Sequence, residues 1–195
     1  GTVLANDEVI DGKSERGGYP VEKRMMMQWV IDQPAFAEKL LEGLNEIDWP
    51  ESTKEIQRNW IGKSTGVEVD FQLVGGGQFS IYTTCIETIY GITFMVLAPD
   101  GKITASLLDR VENREEVEAY IKAAAAMSEI DRTDATKTKT GCPLKGVYAI
   151  NPVNGKEVPV FIGDFVLGNY GTGAVMAVPS HDQRDFEYAI AHNIP

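Results

Sequence analysis

The sequence has few of the residues that build metal centres or disulfide scaffolds. Its 195 residues include two cysteines, Cys85 and Cys142, and two histidines, His181 and His192. No C-x-x-C spacing occurs, and two cysteines without nearby histidines do not make a zinc site. We therefore expect no metal ion and no cofactor, and the low use of cysteine favours a reducing, cytoplasmic compartment.

Positive charge and long apolar runs are also scarce. The 18 Lys and Arg residues are outnumbered by 29 Asp and Glu residues, which gives a net charge of −11. This charge argues against unaided, non-specific binding to nucleic acid, because phosphate contacts need Lys and Arg, but it permits a local contact with one RNA end. No apolar run approaches the roughly 18 residues of a membrane span, so no membrane partner is expected. The hydrophobic fraction of 43% is ordinary for a globular protein.

Turn signals and hydrophobic periodicity divide the chain into two parts. Residues 1–62 combine short strands or irregular structure with two helices, one opening at Pro34 and one after a capping-box pattern at Ser52. Strands predominate over residues 63–195. We therefore predict an N-terminal linker unit, 1–62, and a second domain, 63–195, truncated at its C-terminus. Since the chain starts without methionine, we expect it to be a piece of a longer polypeptide.

The second part alternates strand and turn signals. Period-2 alternation predicts a strand over residues 67–73, and three glycines at 75–77 would turn it into a second strand that includes Thr83. The Asn154-Gly155 pair predicts another hairpin. The Asp-, Thr- and Lys-rich stretch 128–140 is expected to be an exposed loop. This pattern predicts an α+β fold, with an antiparallel-rich, barrel-like β core and flanking helices.

A last helix follows a predicted strand at residues 173–178. Ser180 with Gln183 forms a second capping pattern, and the helical periodicity places Phe186, Ala189 and Ile190 on the buried face.

Two carboxylates lie at the start of this helix. Asp182 and Asp185 are three residues apart and therefore share a face, which we expect to be exposed. They could serve only to stabilise the helix dipole, or they could accept an ammonium group.

A second polar cluster follows the strand that includes Thr83. Residues 83–88 place Thr83, Thr84, Glu87 and Thr88 within six positions. Threonine is common on half-exposed strands, so the cluster could reflect β-propensity alone. Alternatively, it forms a pocket wall that positions a small polar substrate.

Two further patterns have simpler explanations. Cys85, His181 and Asp182 could form a thiol-hydrolase triad, but a free cysteine is more often a small buried apolar residue. The methionines at 25–27 beside Trp29 could form an adaptable binding surface, although methionine next to an aromatic residue is more often core filler.

Several stretches together resemble bacterial leucyl-tRNA synthetases. Residues 57–64 look like the start of the editing insertion of that family, and residues 171–186 are similar to its amino-acid-binding segment. Residues 1–12 and 48–50 resemble the segments that precede the insertion. Some relatives carry cysteine pairs for zinc near residues 14–18; this chain has none there. The resemblance implies the editing-domain fold of class I aminoacyl-tRNA synthetases and spans essentially the whole chain.

The resemblance also implies an activity, namely hydrolysis of the ester between a wrong amino acid and the 3′ end of tRNA for leucine. A hydrophobic pocket separates side chains differing by one methylene by only about 1–3 kcal/mol, so a second, hydrolytic site is needed. The family points to norvaline-like and isoleucine-like substrates. Aminoacylation and ATP binding would belong to the remainder of the parent chain.

Residue roles follow from the same resemblance. The family's aspartate at the position of Asp185 receives the substrate's α-ammonium, and Asp182 lies beside it. The family motif Thr-Thr-Arg-Pro-Asp-Thr falls on residues 83–88, so Thr83 and Thr84 would position water or the terminal ribose, with Glu87 in the pocket wall. The remaining assignments are a steric block against leucine at Thr88 and pocket walls at Met176 and Val178.

This sequence departs from the family motif in the middle. Cys85, Ile86 and Glu87 replace its arginine, proline and aspartate. A thiol cannot hold a tRNA end as an arginine does. A non-catalytic module that docks the tRNA 3′ end is therefore the alternative function.

Overall fold

The computed structural model describes residues 2–22, 24, 26–128, 131–132, 134, 138–169 and 171–194, with the backbone alone for Asn6. The chain splits into two compact units, Gly1–Thr65 and Gly66–Pro195. The assignment of functional domains to residues 1–62 and 63–195 stays a prediction. Among the described helices, none is long and apolar enough to cross a membrane.

The first unit contains short elements. Strands β1 (Val9–Ile10) and β2 (Lys13–Ser14) pair antiparallel, and helices α1 (Ala37–Gly43) and α2 (Glu51–Ile61) follow. The expected capping box at Ser52 is wrong, because α2 already begins at Glu51. Pro50 occupies the N-cap position, and the Glu51 carboxylate pairs with Lys54 Nζ at 3.1 Å in the first turn.

The methionine-rich stretch of this unit does not form core. Met26 and Met27 are exposed, and so is Trp29. Residues 26–31 belong to no helix or strand, so no regular element carries these side chains into an interior. The expectation of core filler is therefore wrong for Met26 and Met27, while Met25 lies outside the described residues.

The second unit is built on one six-stranded sheet. Its strands are β3 (Val67–Leu73), β4 (Gln78–Thr83), β5 (Phe94–Leu97), β6 (Gly141–Ile150), β7 (Glu157–Gly163) and β8 (Ala174–Ala177). Their order in the sheet is β4-β3-β6-β7-β5-β8. Only the β5–β7 pair is parallel among the pairs of this sheet, so the core is antiparallel-rich as predicted.

Both predicted hairpins are present. Gly75, Gly76 and Gly77 all have positive φ, between 82° and 99°, which permits the tight turn from β3 to β4. Asn154 and Gly155 lie in the turn between β6 and β7, where the Asn154 side chain accepts a hydrogen bond from Lys156 N.

Strand β5 is buried on both faces. Met95 and Leu97 point into the larger hydrophobic cluster, while Phe94 and Val96 point into the smaller one. The smaller cluster stacks the Phe94 ring on Tyr188 of the last helix, with 5.2 Å between centroids. A strand with two buried faces carries a continuous apolar sequence, and this run is FMVL.

The sheet curls so that its two edges approach. Strands β4 and β8 lie at opposite ends of the strand order, yet they have Cα atoms within 8 Å of each other. The second unit is therefore barrel-like without closing its hydrogen-bond ladder. Within the described residues, the helices that flank the sheet include α3 (Lys102–Leu107), α4 (Arg114–Ala126) and α5 (Gln183–Ala191), in agreement with the predicted α+β architecture.

The segment over residues 128–140 is not simply an exposed loop. Within its described part, Arg132 is buried, and its guanidinium donates to the carbonyl oxygens of Asp164 and Val166 at 2.6 Å each. The same group pairs with the Asp100 carboxylate at 3.1 Å. The polar composition predicted an exposed loop. It could not show that Arg132 would bond to two other loops of the unit, at Asp100 and at Asp164 and Val166.

Candidate functional site

The site predicted from sequence consists of two segments, which we call the threonine segment (residues 83–88) and the aspartate segment (residues 182–185). Thr83 ends β4, and the threonine segment continues into a 3₁₀ helix over Ile86–Gly91. The aspartate segment follows β8 and opens α5. Since β4 and β8 approach each other, the two segments start from neighbouring strands.

Gly91, at the end of the 3₁₀ helix, lies close to Val178 and Ser180, which precede the aspartate segment. A Cβ atom at this position would lie 3.0 Å from Val178 Cγ1 and 3.2 Å from Ser180 Oγ. Both distances are tighter than about nine in ten real Cβ contacts, so a larger residue here would require Val178 and Ser180 to shift by a few tenths of an ångström. Ile89 and Val178 also share the larger hydrophobic cluster, against which Ile86 and Met176 pack.

The hydroxyl groups of the threonine segment bind its own backbone. Thr83 Oγ1 accepts a hydrogen bond from Cys85 N at 3.1 Å, and Thr88 Oγ1 donates to Cys85 O at 2.8 Å. Thr83 and Thr88 are partly buried, whereas Thr84 and Glu87 are exposed. The bond to Cys85 O fixes the rotamer of Thr88, whose β-branched side chain is already stiff.

Asp185 is the most buried member of the predicted site. Its side chain was expected to be exposed, but the residue is only 3% exposed. Asp185 Oδ2 accepts a hydrogen bond from Val178 N at 2.9 Å, and Oδ1 accepts two from the Arg184 guanidinium at 3.1 and 3.2 Å. The carboxylate thus holds the end of β8 against the start of α5.

Burial governs the charge of this carboxyl group. Burial raises the pKa of Asp185, and the neighbouring Asp182 carboxylate raises it too. The Val178 N–H and the Arg184 guanidinium lower the same pKa. Asp185 is therefore a desolvated carboxylate that relies on a hydrogen-bond donor and a cation to carry its charge.

Helix α5 starts later and faces differently from the prediction. The N-cap is Asp182, whose Oδ1 accepts from Asp185 N at 2.9 Å, so Ser180 is not the cap. Phe186 and Ile190, expected to be buried, are 47% and 62% exposed. Asp185 and Tyr188 face the interior instead, because the Tyr188 ring completes the aromatic cluster around Phe94.

An open groove of about 940 Å³ runs along the exposed side of α5. Phe186 and Ile190 line its apolar wall, and Asp182 is the predicted site residue among its lining. Gly91 and Thr93 line it as well, so the groove borders the junction of the two segments. Met176 and Val178 do not line it; Met176 is partly buried in β8, and Val178 is buried.

The other chemistry considered from sequence is not assembled here. Cys85 is an exposed free thiol, and its Sγ lies 3.8 Å from Thr84 Oγ1. Among the described side chains, no hydrogen bond joins Cys85 to His181, so no thiol–imidazole pair is formed. The structure also describes no group of three His, Cys, Asp or Glu side chains that could hold a metal ion.

Two residues of the site escaped the sequence analysis. Arg184 lies between the two aspartates in sequence and pairs with both, at 3.1 Å from Asp185 and 3.7 Å from Asp182. Its position between two acidic residues was a usable signal. Gly91 gave no comparable signal, because its role depends on a contact with a residue far along the chain.

Comparison with known proteins gives two findings. The family model described as leucyl-tRNA synthetase, editing domain, matches residues 58–195. Among solved structures, the chain is similar to a leucyl-tRNA synthetase of Agrobacterium radiobacter K84, determined as a ternary complex with tRNA and LeuAMS, at a TM-score of 0.73 and 34% identity. The match covers 98% of this chain and 23% of that one, so this chain spans less than a quarter of that relative.

Proposed function

This chain belongs to the leucyl-tRNA synthetase editing-domain family, and we propose that it hydrolyses the ester of mischarged tRNA for leucine. The observation that carries the proposal is the Asp185 carboxylate, which is buried at the start of α5 and bonded to Val178 N just after β8. A desolvated carboxylate pairs strongly with a cation. The α-ammonium is the positive charge that all aminoacyl esters share.

The two segments divide the work of binding. Asp185 binds the α-ammonium, while Asp182 adds negative charge beside it. Thr88 blocks the space that the branched end of leucine would occupy. Met176 and Val178 bound the pocket for norvaline-like or isoleucine-like side chains. Two facts support this arrangement: the Thr88 rotamer is held by Cys85 O, and Ile86 of the threonine segment packs against the hydrophobic cluster that contains Val178.

The hydrolytic step uses water as the nucleophile. The water oxygen bonds to the ester carbonyl carbon, the bond from that carbon to the ribose oxygen breaks, and a water proton ends on the ribose hydroxyl. Thr83 and Thr84 position the water or the ribose, and Glu87 extends the polar wall. No protein nucleophile takes part, so most of the rate enhancement comes from positioning.

The groove along α5 suits the terminal nucleoside of the tRNA. Its volume of about 940 Å³ lies in the range of small-ligand sites. The half-exposed Phe186 ring offers a face on which a base can stack. With a net charge of −11, the chain would rely on the rest of the synthetase for contacts to the tRNA backbone. We propose that it acts within a cytoplasmic leucine–tRNA ligase, whose remainder carries aminoacylation.

Docking without hydrolysis is the second candidate function. Cys85 stands where the family motif has arginine, which removes a cation that would hold the tRNA end. Arg184 also occupies Asp185 Oδ1. Both observations favour slow or absent hydrolysis, because the ester would be held less firmly and the carboxylate that would bind its ammonium is already paired.

A deacylation assay separates the two functions. The 195-residue chain is mixed with norvalyl-, isoleucyl- and leucyl-tRNA for leucine, and release of each amino acid is followed over time. We expect release of the two wrong amino acids and retention of leucine, with release slowed roughly 10- to 100-fold by Asp185→Asn. Arg114→Gln is the matched control, because Arg114 is an exposed arginine paired with Asp109 and Glu118, outside the site. Binding without release by the unsubstituted chain would favour docking.

A further inference from the structure

The carboxylate oxygen that would accept the substrate already has a cation against it. Arg184 Nε and Nη2 lie 3.2 and 3.1 Å from Asp185 Oδ1. The other oxygen, Oδ2, is bound to Val178 N in the interior. A substrate ammonium that pairs with Asp185 therefore competes with the guanidinium for Oδ1.

Arg184 has other partners that would remain if it left Asp185. Its Nε lies 3.7 Å from Asp182 Oδ1, and its Cζ lies 4.8 Å from the centroid of the Phe165 ring. A guanidinium this close to an aromatic face gains a cation–π interaction. A shift of the guanidinium toward Asp182 would therefore keep one carboxylate and the ring as partners.

Burial differs sharply across this ion pair. The Arg184 side chain is 41% exposed, whereas that of Asp185 is 4% exposed. The guanidinium thus reaches solvent and covers Oδ1 of a carboxylate that solvent hardly touches. Loss of the cation alone would leave a buried carboxylate without a counter-charge, which is costly. The guanidinium can therefore leave Oδ1 when another cation takes its place.

We propose that Arg184 is a displaceable counter-ion, which occupies Asp185 Oδ1 in the free protein and yields it to the substrate's α-ammonium. The inference rests on the proposed function and deepens it. Arg184 then contributes to specificity: an acyl group without a free ammonium cannot replace the guanidinium and gains nothing from Asp185. A free amino acid ester can, because it supplies the same charge that it displaces.

The test uses two ligands that differ only in the ammonium group. One is an amide analogue of norvalyl-adenosine, in which an amide replaces the ester so that it is not hydrolysed. The other is its des-amino counterpart, with a pentanoyl chain in place of norvalyl. Dissociation constants are measured by calorimetry with the 195-residue chain at about pH 6.5, which is above the ordinary range of carboxyl pKa values and below the α-amino pKa of about 7.7–8.0.

Three variants separate competition from a merely structural role. Arg184→Gln removes the competing cation and should tighten binding of the ammonium ligand about two- to five-fold, with no change for the des-amino ligand. Arg184→Lys restores a cation and should behave as the unsubstituted chain. Arg114→Gln removes an equivalent exposed arginine in α4 and should change neither dissociation constant.

A spectroscopic measurement follows the displacement itself. The Arg184 Nε–H resonance should move when the ammonium ligand is added and stay in place with the des-amino ligand. The displacement is wrong if Arg184→Gln binds the ammonium ligand no more tightly than the unsubstituted chain does. It is also wrong if the Arg184 Nε–H resonance of the unsubstituted chain does not move when that ligand is bound. Equal affinity of the unsubstituted chain for both ligands contradicts the role of Asp185 itself. Absence of binding by either ligand contradicts both the displacement and the proposed function.

Discussion

The threonine segment and the aspartate segment use their polar groups in opposite ways. In the threonine segment, the Thr83 and Thr88 side chains hydrogen-bond to the backbone of Cys85, which lies within three residues of each. In the aspartate segment, Asp185 reaches back to Val178 N at the end of a strand and is buried there. One segment is held locally, while the other joins two elements of the fold.

This difference suits the two segments to different tasks: selection of a side chain by its shape, and recognition of a charged group. Local hydrogen bonds fix the rotamers of small side chains at the surface, which suits a wall that admits one side chain and rejects another. A buried carboxylate suits recognition of charge, because a low dielectric strengthens its interaction with a cation. Substitutions in the aspartate segment should therefore affect both folding and activity, and those in the threonine segment should affect activity or selectivity with smaller losses of stability.

The largest effects are expected at Asp185. Asp185→Ala leaves Val178 N–H without its acceptor and should lower the free energy of unfolding by about 1–3 kcal/mol, as measured by chemical denaturation. Asp185→Asn can still accept that hydrogen bond and should lose less stability. Both should reduce kcat/KM for norvalyl-tRNA roughly 10- to 100-fold, since both lose the charge that pairs with the ammonium.

The pair of variants tests whether the two roles of Asp185 are separable. If Asp185→Asn loses as much stability as Asp185→Ala while keeping its activity, Asp185 is a structural residue and the ammonium is bound elsewhere.

The pH profile should show the second-largest effect. Deacylation needs ionised Asp185, so the rate should fall about tenfold per pH unit below its pKa. Because burial raises that pKa, the fall should begin above the ordinary aspartate value of about 3.9. Stability should change in the opposite sense: the folded state binds this proton more tightly, so its contribution to unfolding free energy is largest at low pH and declines as pH rises through the folded pKa.

The comparison between the unsubstituted chain and Asp185→Asn isolates this group. The melting temperatures of both proteins are measured as a function of pH. As pH rises through the folded pKa of Asp185, the melting temperature of the unsubstituted chain should fall relative to that of Asp185→Asn. Identical pH dependence would show that Asp185 does not titrate in this range.

Thr88 should govern selectivity by about one order of magnitude. Thr88→Ala opens the space beside the pocket, so leucyl-tRNA should lose leucine about tenfold faster, the scale on which one methyl or methylene group discriminates. Thr88→Tyr should fill the pocket and block release of every amino acid. Release from norvalyl- and leucyl-tRNA is measured side by side, and a leucyl ester as stable with Thr88→Ala as without it would assign the block to another residue.

Thr83 should show a modest effect on stability. Thr83→Val removes the acceptor for Cys85 N and should lower the free energy of unfolding by about 0.5–1.5 kcal/mol. Thr84→Val is the matched control, because Thr84 is exposed and should change stability by less than about 0.5 kcal/mol. Equal losses in the two variants, measured by urea denaturation, would show that the Thr83 bond is not significant.

Cys85 should show the smallest effect. Cys85→Ala removes an exposed thiol that is paired with no imidazole, so norvalyl-tRNA should be deacylated within about twofold of the unsubstituted rate. Alkylation of Cys85 should slow release only by adding bulk. Complete loss of activity in the folded alanine variant would instead indicate a thiol nucleophile.

Local signals in the sequence were sufficient for two hairpins of the sheet. The three glycines at 75–77 and the Asn154-Gly155 pair specify their hairpins through the backbone angles they permit. The period-2 alternation over residues 67–73 coincides with β3. These features depend on near neighbours, and so the sequence reports them directly.

Local signals could not predict which face of α5 is buried. The pattern at 186, 189 and 190 fits a helical stripe, but so does the pattern at 185, 188 and 189, which is the one buried. Stacking of Tyr188 on Phe94 and the bond from Val178 N to Asp185 decide between them. Both partners lie outside the helix, and no local periodicity contains them. For the same reason, the sequence pointed to Asp185 but not to its burial.

The one parallel strand pair sets the order in which the site can assemble. The β3–β4 and β6–β7 hairpins join strands adjacent in sequence, so their pairing closes only short loops. Strand β5 must instead pair with β7 and β8, where Met95 lies opposite Val160 and Phe94 opposite Ala177. Pairings of such long sequence separation are slow to form because a large loop must close first. During synthesis, the threonine segment therefore emerges well before β8 exists, and the carboxylate that completes the site arrives with β8 and α5.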